Sequence, residues 1–320
     1  MVFPESKVEQ RRPTVDRTLQ AVEMDAKPVI REFHREYQRY SGKRCRGWVH
    51  RDLNPHPEFL DRPETVAAWP GTEKVIDRVS RQIYRMRLLM GGEEISAYSY
   101  YLADTSFPRV LRSTYAFRVL RQSHRLLANG IGTFQVLASV KKKRVVLNRK
   151  SFVLVREIPS VTEIASRTDH SSDIHEHTEL TADLSAALGK AVAHLHNQSF
   201  VHGDLKTRHV LLGEDSPPEI FFVDLEKCWS IRSFPSLVQD VLCARDLIQL
   251  FTSMPDNEFY RTRVPHQVLD SYWRSRELVG KRSERILGYL QMYGPEGRFR
   301  QGKTLLENVL SGFNSRNGHP

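Results

Sequence analysis

The chain has 320 residues, a formal net charge of +10 and three cysteines, and it contains no long uninterrupted run of apolar residues. This length can bury the core of one bilobal unit or of two modest domains, and the missing apolar run argues against a transmembrane helix. Three widely spaced cysteines argue against a disulfide-rich secreted domain, and the N-terminus lacks the apolar segment of a signal peptide. We therefore expect a cytoplasmic protein.

Residues 1–75 are polar, rich in arginine and interrupted by proline. Segments of this composition are typical of loops, and only one short helix is predicted, at about residues 27–40. We interpret residues 1–75 as an N-terminal extension with little core of its own.

The pattern changes from about residue 82. Two runs rich in β-branched and aromatic side chains, IYRMRLLM and EISAYSYYLA, are separated by Gly91 and Gly92, which predicts a β-hairpin. A helix is predicted at about residues 114–129, with Gly130 placed to end it. The runs FQVLASV, VVLN and SFVLVREI are again strand-like. Residues 76–158 are therefore predicted to form a sheet-rich lobe.

The remaining residues, 159–320, are mostly helical in pattern. A polar stretch at 166–178 is predicted to be a loop, and a helix follows whose apolar positions share one face: Leu184, Leu188, Val192 and Leu195. After that helix come FVHGDLKTRHVLL, a turn at GEDSPPE, the apolar strand IFFVD and further helices. The predicted fold class is α+β, a bilobal protein-kinase-like fold with a sheet-rich N-lobe, a linker at 156–158 and a helical C-lobe.

Two aspartates carry the candidate chemistry. Phosphoryl transfer needs a carboxylate that positions the acceptor hydroxyl, and ligands for Mg²⁺ near the phosphates. Asp204, in H-G-D-L-K-T-R-H, suits the first task, and Asp224, which ends the strand IFFVD, suits the second. The predicted hairpin between them can bring both carboxylates to one cleft. The alternative is a buried structural turn with two capping aspartates.

Three other patterns resemble functional motifs and are not favoured. V-H-R-D-L-N at 49–54 resembles a kinase catalytic loop, but it leaves no room upstream for an N-lobe. G-R-F-R-Q-G-K-T at 297–304 matches a P-loop, but too few residues follow it to build the required βαβ unit. His175, Glu176 and His177 have no second pair of ligands at metal spacing, so we interpret them as part of a polar loop.

The segments HGDLKTRHVLL and FVDLEK together resemble the lipopolysaccharide core kinase (Kdo/WaaP) family, a bacterial sugar-kinase branch of the protein-kinase-like fold. ARDLIQLFTSM at 244–254 and ANGIGT at 128–133 resemble that family too. The resemblance implies ATP and Mg²⁺ as cofactors and a sugar hydroxyl of the lipopolysaccharide core, or of a similar glycolipid, as the acceptor. It also implies that Asp204 is the catalytic base and that His209 and Asp224 serve the metal and the nucleotide.

Four further residues are candidates for contacting the nucleotide. Arg156, Glu157 and Ile158 form the linker between the lobes, and Lys206 lies two residues after Asp204. His202 is expected to brace the catalytic loop rather than to react.

The N-lobe departs from the kinase pattern. Kinases carry a lysine on the third strand and a glutamate on the following helix. Ser99 and Val119 stand at these two positions here, and no G-x-G-x-x-G precedes the strands. Either the protein is a pseudokinase, a nucleotide- or partner-binding module without turnover, or a cation from elsewhere takes over the role of the lysine. Arg85, Arg118 and Arg121 are the candidates for that cation.

The positive charge is concentrated in residues 31–51 and 141–144. A basic surface favours anionic partners. Nucleic acid is not favoured, because the chain has neither zinc-finger spacing nor the aromatic run of an RNA-binding sheet. Beyond the glycolipid or sugar substrate, the expected partner is an anionic membrane surface, which would place the protein peripherally at the inner face of the inner membrane. A solvated basic face is the alternative.

Overall fold

The computed structural model describes most of the chain, namely residues 27–53, 57–78, 81–104, 115–143, 149–164, 174–214, 217–254, 258–277 and 281–293. The helices are α1 (Lys27–Glu36), α2 (Tyr115–Ala128), α3 (Ile174–Asn197), α4 (Ser236–Thr252), α5 (Glu258–Ser275) and α6 (Lys281–Tyr293). The strands of the first half are β1 (Tyr37–Ser41), β2 (Cys45–His50), β3 (Glu73–Arg78), β4 (Arg81–Met90), β5 (Glu93–Asp104), β6 (Val136–Lys142) and β7 (Arg149–Arg156). Those of the second half are β8 (Val161–Glu163), β9 (Phe200–Val201), β10 (Val210–Gly213), β11 (Ile220–Phe222) and β12 (Trp229–Ser230).

The first half of the chain forms a seven-stranded antiparallel sheet in the order β1-β2-β6-β7-β5-β4-β3. The predicted hairpin is confirmed as β4 and β5, and both turn residues, Gly91 and Gly92, have the positive φ that glycine adopts at no steric cost. Helix α2 packs on this sheet through Ala116, Val119 and Leu120. It ends one residue earlier than predicted, and Gly130, with φ of 68°, follows it.

The expectation that residues 1–75 contribute little core is wrong for the part that the structure describes. Strand β2 pairs with β6, so this segment extends the N-lobe sheet. Six of its buried apolar side chains join one core cluster of the lobe: Cys45, Val49, Leu53, Phe59, Leu60 and Val66. These pairings are long-range, and the local composition of the segment carries no sign of them.

The second half of the chain is helical around a small hairpin. Helix α3 packs against α5, and α4 packs against α6. The four apolar positions predicted for one face of α3 are all buried. The loop prediction at 166–178 is wrong for its last residues, because α3 begins at Ile174, and the three residues at 175–177 therefore lie on a helix. The P-loop-like segment at 297–304 lies outside the described residues.

This architecture confirms the predicted α+β class, and the two halves meet where β7 ends and the linker begins. In the described part of the chain, no helix is both long enough and apolar enough to span a bilayer.

Candidate active site

The loop that carries Asp204 runs from β9 to β10 along the edge of the C-lobe. Strand β9 pairs with β12, which places the loop beside the turn that follows Asp224. Gly203 has φ of 77°, and a Cβ added there would lie 2.4 Å from the backbone oxygen of Lys227. Glycine is therefore required at this position, because two backbones meet with no space for a side chain.

Asp246 on α4 anchors the backbone of this loop. Its carboxylate is completely buried and accepts hydrogen bonds from the backbone N–H groups of His202 (2.6 Å) and Gly203 (2.9 Å). The imidazole of His196 lies 3.4 Å from the same carboxylate and 2.9 Å from the Tyr272 hydroxyl. Burial lowers the pKa of His196, but Cys243 and Asp246 beside it outweigh this effect and raise the pKa to about 9. His196 is therefore the cation that compensates the buried charge of Asp246.

His202 braces the loop, as expected from the sequence. Its Nε2–H donates to the backbone oxygen of Val223, at 2.8 Å, and its ring stacks on that of His209 with centroids 5.9 Å apart. Burial lowers the pKa of His202 and favours the neutral ring. His202 thus links the loop to the segment that precedes Asp224.

Asp204 is held between two lysines. Lys206 Nζ lies 2.8 Å from Oδ1, and Lys227 Nζ lies 2.9 Å from Oδ2. Burial of the carboxyl group raises its pKa, but the hydrogen bonds from the two lysines outweigh this effect and lower the pKa to about 2. Asp204 is therefore an ionised carboxylate in contact with two lysine ammonium groups.

Asp224 adopts a left-handed backbone conformation, with φ of 59° and ψ of 54°. Such a conformation is uncommon for a residue other than glycine and is found preferentially at functional sites. The strand β11 ends just before it, and a 3₁₀ turn, Leu225–Lys227, starts just after it. Its carboxylate lies 3.5 Å from His209 Nε2.

The ring of His209 lies between the two aspartates. Its Nδ1 is 2.8 Å from the backbone oxygen of Asp204, and because a carbonyl can only accept, Nδ1 carries the proton. In the neutral ring Nε2 then has the free lone pair, which accepts a hydrogen bond from Arg208 Nε at 3.2 Å. The unprotonated nitrogen therefore faces the side on which Asp224 lies.

The side-chain atoms of Asp224 and His209 are suited to ligate a magnesium ion that a bound nucleotide also coordinates. Mg²⁺ prefers oxygen ligands and is usually held by one or two carboxylates together with phosphate oxygens. Asp224, whose side chain is one-third exposed, can supply one such carboxylate. The described residues contain no cluster of three or more His, Cys, Asp or Glu side chains that could hold a metal by itself. The imidazole of His209 is the weaker part of the predicted ligand set, because nitrogen ligands suit softer metals.

A model of the lipopolysaccharide kinase (Kdo/WaaP) family matches residues 58–272, about two thirds of the chain. The chain belongs to this family. A solved structure described as WaaP in complex with acyl carrier protein is similar to 78% of this chain and 92% of its own, with 18% sequence identity and a TM-score of 0.52. At this identity the likeness shows the fold alone, and it supports the kinase-like architecture. A search of curated proteins found no match.

The chain lacks the usual lysine–glutamate pair of a kinase N-lobe at the two positions that the sequence indicated. Ser99 is completely buried in β5, where its Oγ lies 3.4 Å from the backbone oxygen of Tyr84. Val119 is buried between α2 and the sheet. Val119 therefore offers no charge, and Ser99 lies on the face of β5 away from α2, because its cross-strand neighbours Tyr84 and Leu154 belong to the core on that face.

Two of the three arginines considered as replacements are held by carboxylates. Arg85 forms two hydrogen-bonded contacts of 3.0 Å with the linker residue Glu157. Arg118 on α2 lies 3.4 Å from Glu226, two residues after Asp224. Arg118 thus joins the N-lobe helix to the segment that carries Asp224, while Arg121 is exposed on the same helix.

The linker residues lie where the two lobes meet, and some of their hydrogen-bonding groups already have partners within the protein. The carboxylate of Glu157 also accepts from the Tyr98 hydroxyl at 3.2 Å, and its backbone N–H donates to Ser96 O. The backbone N–H of Arg156 donates to Gln135 O. Contacts of Arg156, Glu157 and Ile158 with a nucleotide stay a prediction.

Two functional residues escaped the sequence analysis. Asp246 lies in the run ARDLIQLFTSM, whose family resemblance was noted without a role for the aspartate. Lys227 follows Asp224 by three residues, and its proximity to Asp204 arises only when β9 pairs with β12. A lysine three residues after the candidate metal ligand Asp224 was the one available signal.

Proposed function

We propose that the protein transfers the γ-phosphate of ATP, with Mg²⁺, to a sugar hydroxyl of lipopolysaccharide core or of a similar glycolipid. The observation that carries this proposal is the position of His209, whose Nδ1 bonds to the backbone oxygen of Asp204 and whose Nε2 lies 3.5 Å from the carboxylate of Asp224. A base and a metal-binding carboxylate at one cleft are the two groups that phosphoryl transfer requires.

In this mechanism Asp204 accepts a hydrogen bond from the acceptor hydroxyl and takes its proton as the oxygen attacks the γ-phosphorus. The new bond joins the sugar oxygen to phosphorus, the β–γ bridging bond breaks, and ADP leaves. Asp224, with His209 beside it, would hold Mg²⁺, which neutralises charge on the phosphates. Lys206 remains beside Asp204 and can approach a phosphate oxygen.

A second candidate function is a pseudokinase that binds nucleotide without turnover. The buried, uncharged Ser99 and Val119 favour it, because both members of the phosphate-positioning pair are absent together.

Incubation with radiolabelled ATP and lipopolysaccharide tests both candidates, with nucleotide affinity measured in parallel. We expect Mg²⁺-dependent transfer by the wild type and loss of transfer in Asp224→Asn, because the carboxylate ligand is removed. Nucleotide binding without transfer would favour the pseudokinase. A wild type that binds no nucleotide would contradict both.

We further propose that a patch on the N-lobe holds the protein at an anionic membrane surface. The two basic runs noted in the sequence meet here, because Arg46 of β2 stands opposite Lys141 of β6. Lys142 stands opposite the buried Cys45 and so lies on the other face of the sheet, and the N-lobe basic patch therefore consists of Lys43, Arg44, Arg46 and Lys141. Two carboxylates compensate part of its charge, since Glu64 lies 3.9 Å from Arg44 and Asp61 accepts hydrogen bonds from the backbone N–H groups of Arg44 and Cys45.

Co-sedimentation with lipid vesicles tests this patch. The double variant Arg46→Glu/Lys141→Glu is expected to lower binding to vesicles containing an anionic phospholipid by at least about 30-fold, since each basic residue near such a surface contributes about 1 kcal/mol and the two new carboxylates add repulsion. Lys281→Glu, at the start of α6 in the C-lobe, is the control and should bind like the wild type. Equal binding to neutral vesicles, or an unchanged double variant, would refute the proposal.

A further inference from the structure

The cleft needs a cation for the phosphates, and β5, the strand before α2, contains no lysine that supplies it as in other kinases. In the described part of the N-lobe, Arg85 is bound to Glu157 and Arg118 faces Glu226. Phosphoryl transfer depends on positive charge around the transferring group, so a family member without this charge would be a poor catalyst.

Lys227 lies where such a charge would be useful. It closes the 3₁₀ turn that begins directly after Asp224, and its Nζ is 2.9 Å from Oδ2 of Asp204. A single lysine side chain therefore extends from the metal-binding segment to the catalytic carboxylate. The side chain is 59% exposed, so it can rotate towards a ligand in the cleft without disturbing the core.

The backbone fixes this placement. Strands β9 and β12 pair on either side of the site, with Trp229 opposite Val201. The absence of a side chain at Gly203 lets the catalytic loop contact the backbone of Lys227. The backbone position of Lys227 is thus set by contacts within the C-lobe, and α2 also touches the same turn through the Arg118–Glu226 pair.

We propose that Lys227 binds the transferring phosphoryl group in place of the missing strand lysine, an inference that rests on the proposed kinase function. In the nucleotide-free protein, Lys227 and Lys206 neutralise Asp204. When the triphosphate enters, Lys227 moves from the carboxylate to a phosphate oxygen. Asp204 then has a free oxygen that accepts the hydrogen bond of the acceptor hydroxyl.

The geometry of the two lysines supports this exchange. Lys206 lies 2.8 Å from Oδ1 of Asp204, so the carboxylate keeps one cationic partner when Lys227 leaves Oδ2. Oδ2 is then free to accept the hydrogen bond of the acceptor hydroxyl.

The test compares the affinities for ATP, with Mg²⁺, and for AMP in four proteins: the wild type, Lys227→Gln, Lys227→Arg and Lys281→Gln. Lys227→Gln is expected to weaken ATP binding by roughly 10- to 100-fold, because it loses a charge-assisted hydrogen bond. Its affinity for AMP should match that of the wild type, since AMP lacks the terminal phosphates. Lys227→Arg should restore part of the ATP affinity, and Lys281→Gln should change neither.

Each other outcome has a distinct meaning. Unchanged ATP affinity and transfer rate in Lys227→Gln would overturn the assignment while the kinase function stands. An equal loss of ATP and AMP affinity would show a structural role and also overturn it. An effect confined to the KM of the lipopolysaccharide acceptor would assign Lys227 to acceptor binding and would also overturn the proposal. Absence of nucleotide binding in the wild type would remove the proposed function itself.

Discussion

Asp204→Asn is expected to lower the rate of phosphate transfer by roughly 10²- to 10⁴-fold, the usual contribution of a positioned general base. Asparagine preserves the shape of the side chain but cannot take the proton of the acceptor hydroxyl. Both lysines lose an ionic partner, so Lys206 and Lys227 become free to bind phosphates, and ATP affinity should be kept or increased. Transfer kinetics and nucleotide titrations measure the two effects separately.

The matched control is Asp183→Asn, an exposed aspartate on α3. It should leave both the transfer rate and the nucleotide affinity as in the wild type. Wild-type transfer by Asp204→Asn would rule out its role as the base. A fall in ATP affinity that matches the fall in rate would instead assign Asp204 to nucleotide binding.

Asp246→Asn is expected to lower the free energy of unfolding by about 3–5 kcal/mol, the usual effect of removing one partner of a buried ion pair. The change leaves the protonated His196 without its compensating charge and places an amide group against two backbone N–H donors. The catalytic loop loses its anchor at the same time. Urea denaturation gives the stability, and transfer kinetics at a temperature where the protein is folded give the effect on the loop.

Asp240 provides a close comparison, because it is also completely buried on α4 and also ion-paired. Its partners are Arg282 and Arg285 of α6, and it does not contact the catalytic loop. Asp240→Asn should therefore lower stability by a similar amount but leave the folded protein with wild-type transfer. If the two variants lose transfer activity equally, the loss reports stability alone and the anchoring role of Asp246 is wrong.

Arg118 forms an ion pair between the two lobes. In kinases a glutamate of this helix meets a lysine of the sheet. Here the helix presents a basic residue to Glu226, so the ion pair crosses from α2 to the turn after Asp224. Through this pair α2 keeps a polar contact with the turn after Asp224, a contact that the apolar Val119 cannot make.

The sequence by itself determined the features that depend on local periodicity. Two runs rich in β-branched and aromatic residues on either side of two glycines predicted the hairpin of β4 and β5, and the apolar spacing of Leu184 and Leu188 predicted α3. It also predicted Asp204 and Asp224 as candidate site residues, because Asp204 follows an apolar helix and Asp224 follows an apolar strand.

The tertiary structure decided everything that depends on contacts between distant segments. The pairing of β2 with β6 brought the N-terminal segment into the sheet, and the pairing of β9 with β12 brought Lys227 to Asp204. The left-handed backbone of Asp224 and the burial of Asp246 beneath the loop have the same origin. Such contacts follow from the packing of the whole chain, and no window of neighbouring residues contains the information that specifies them.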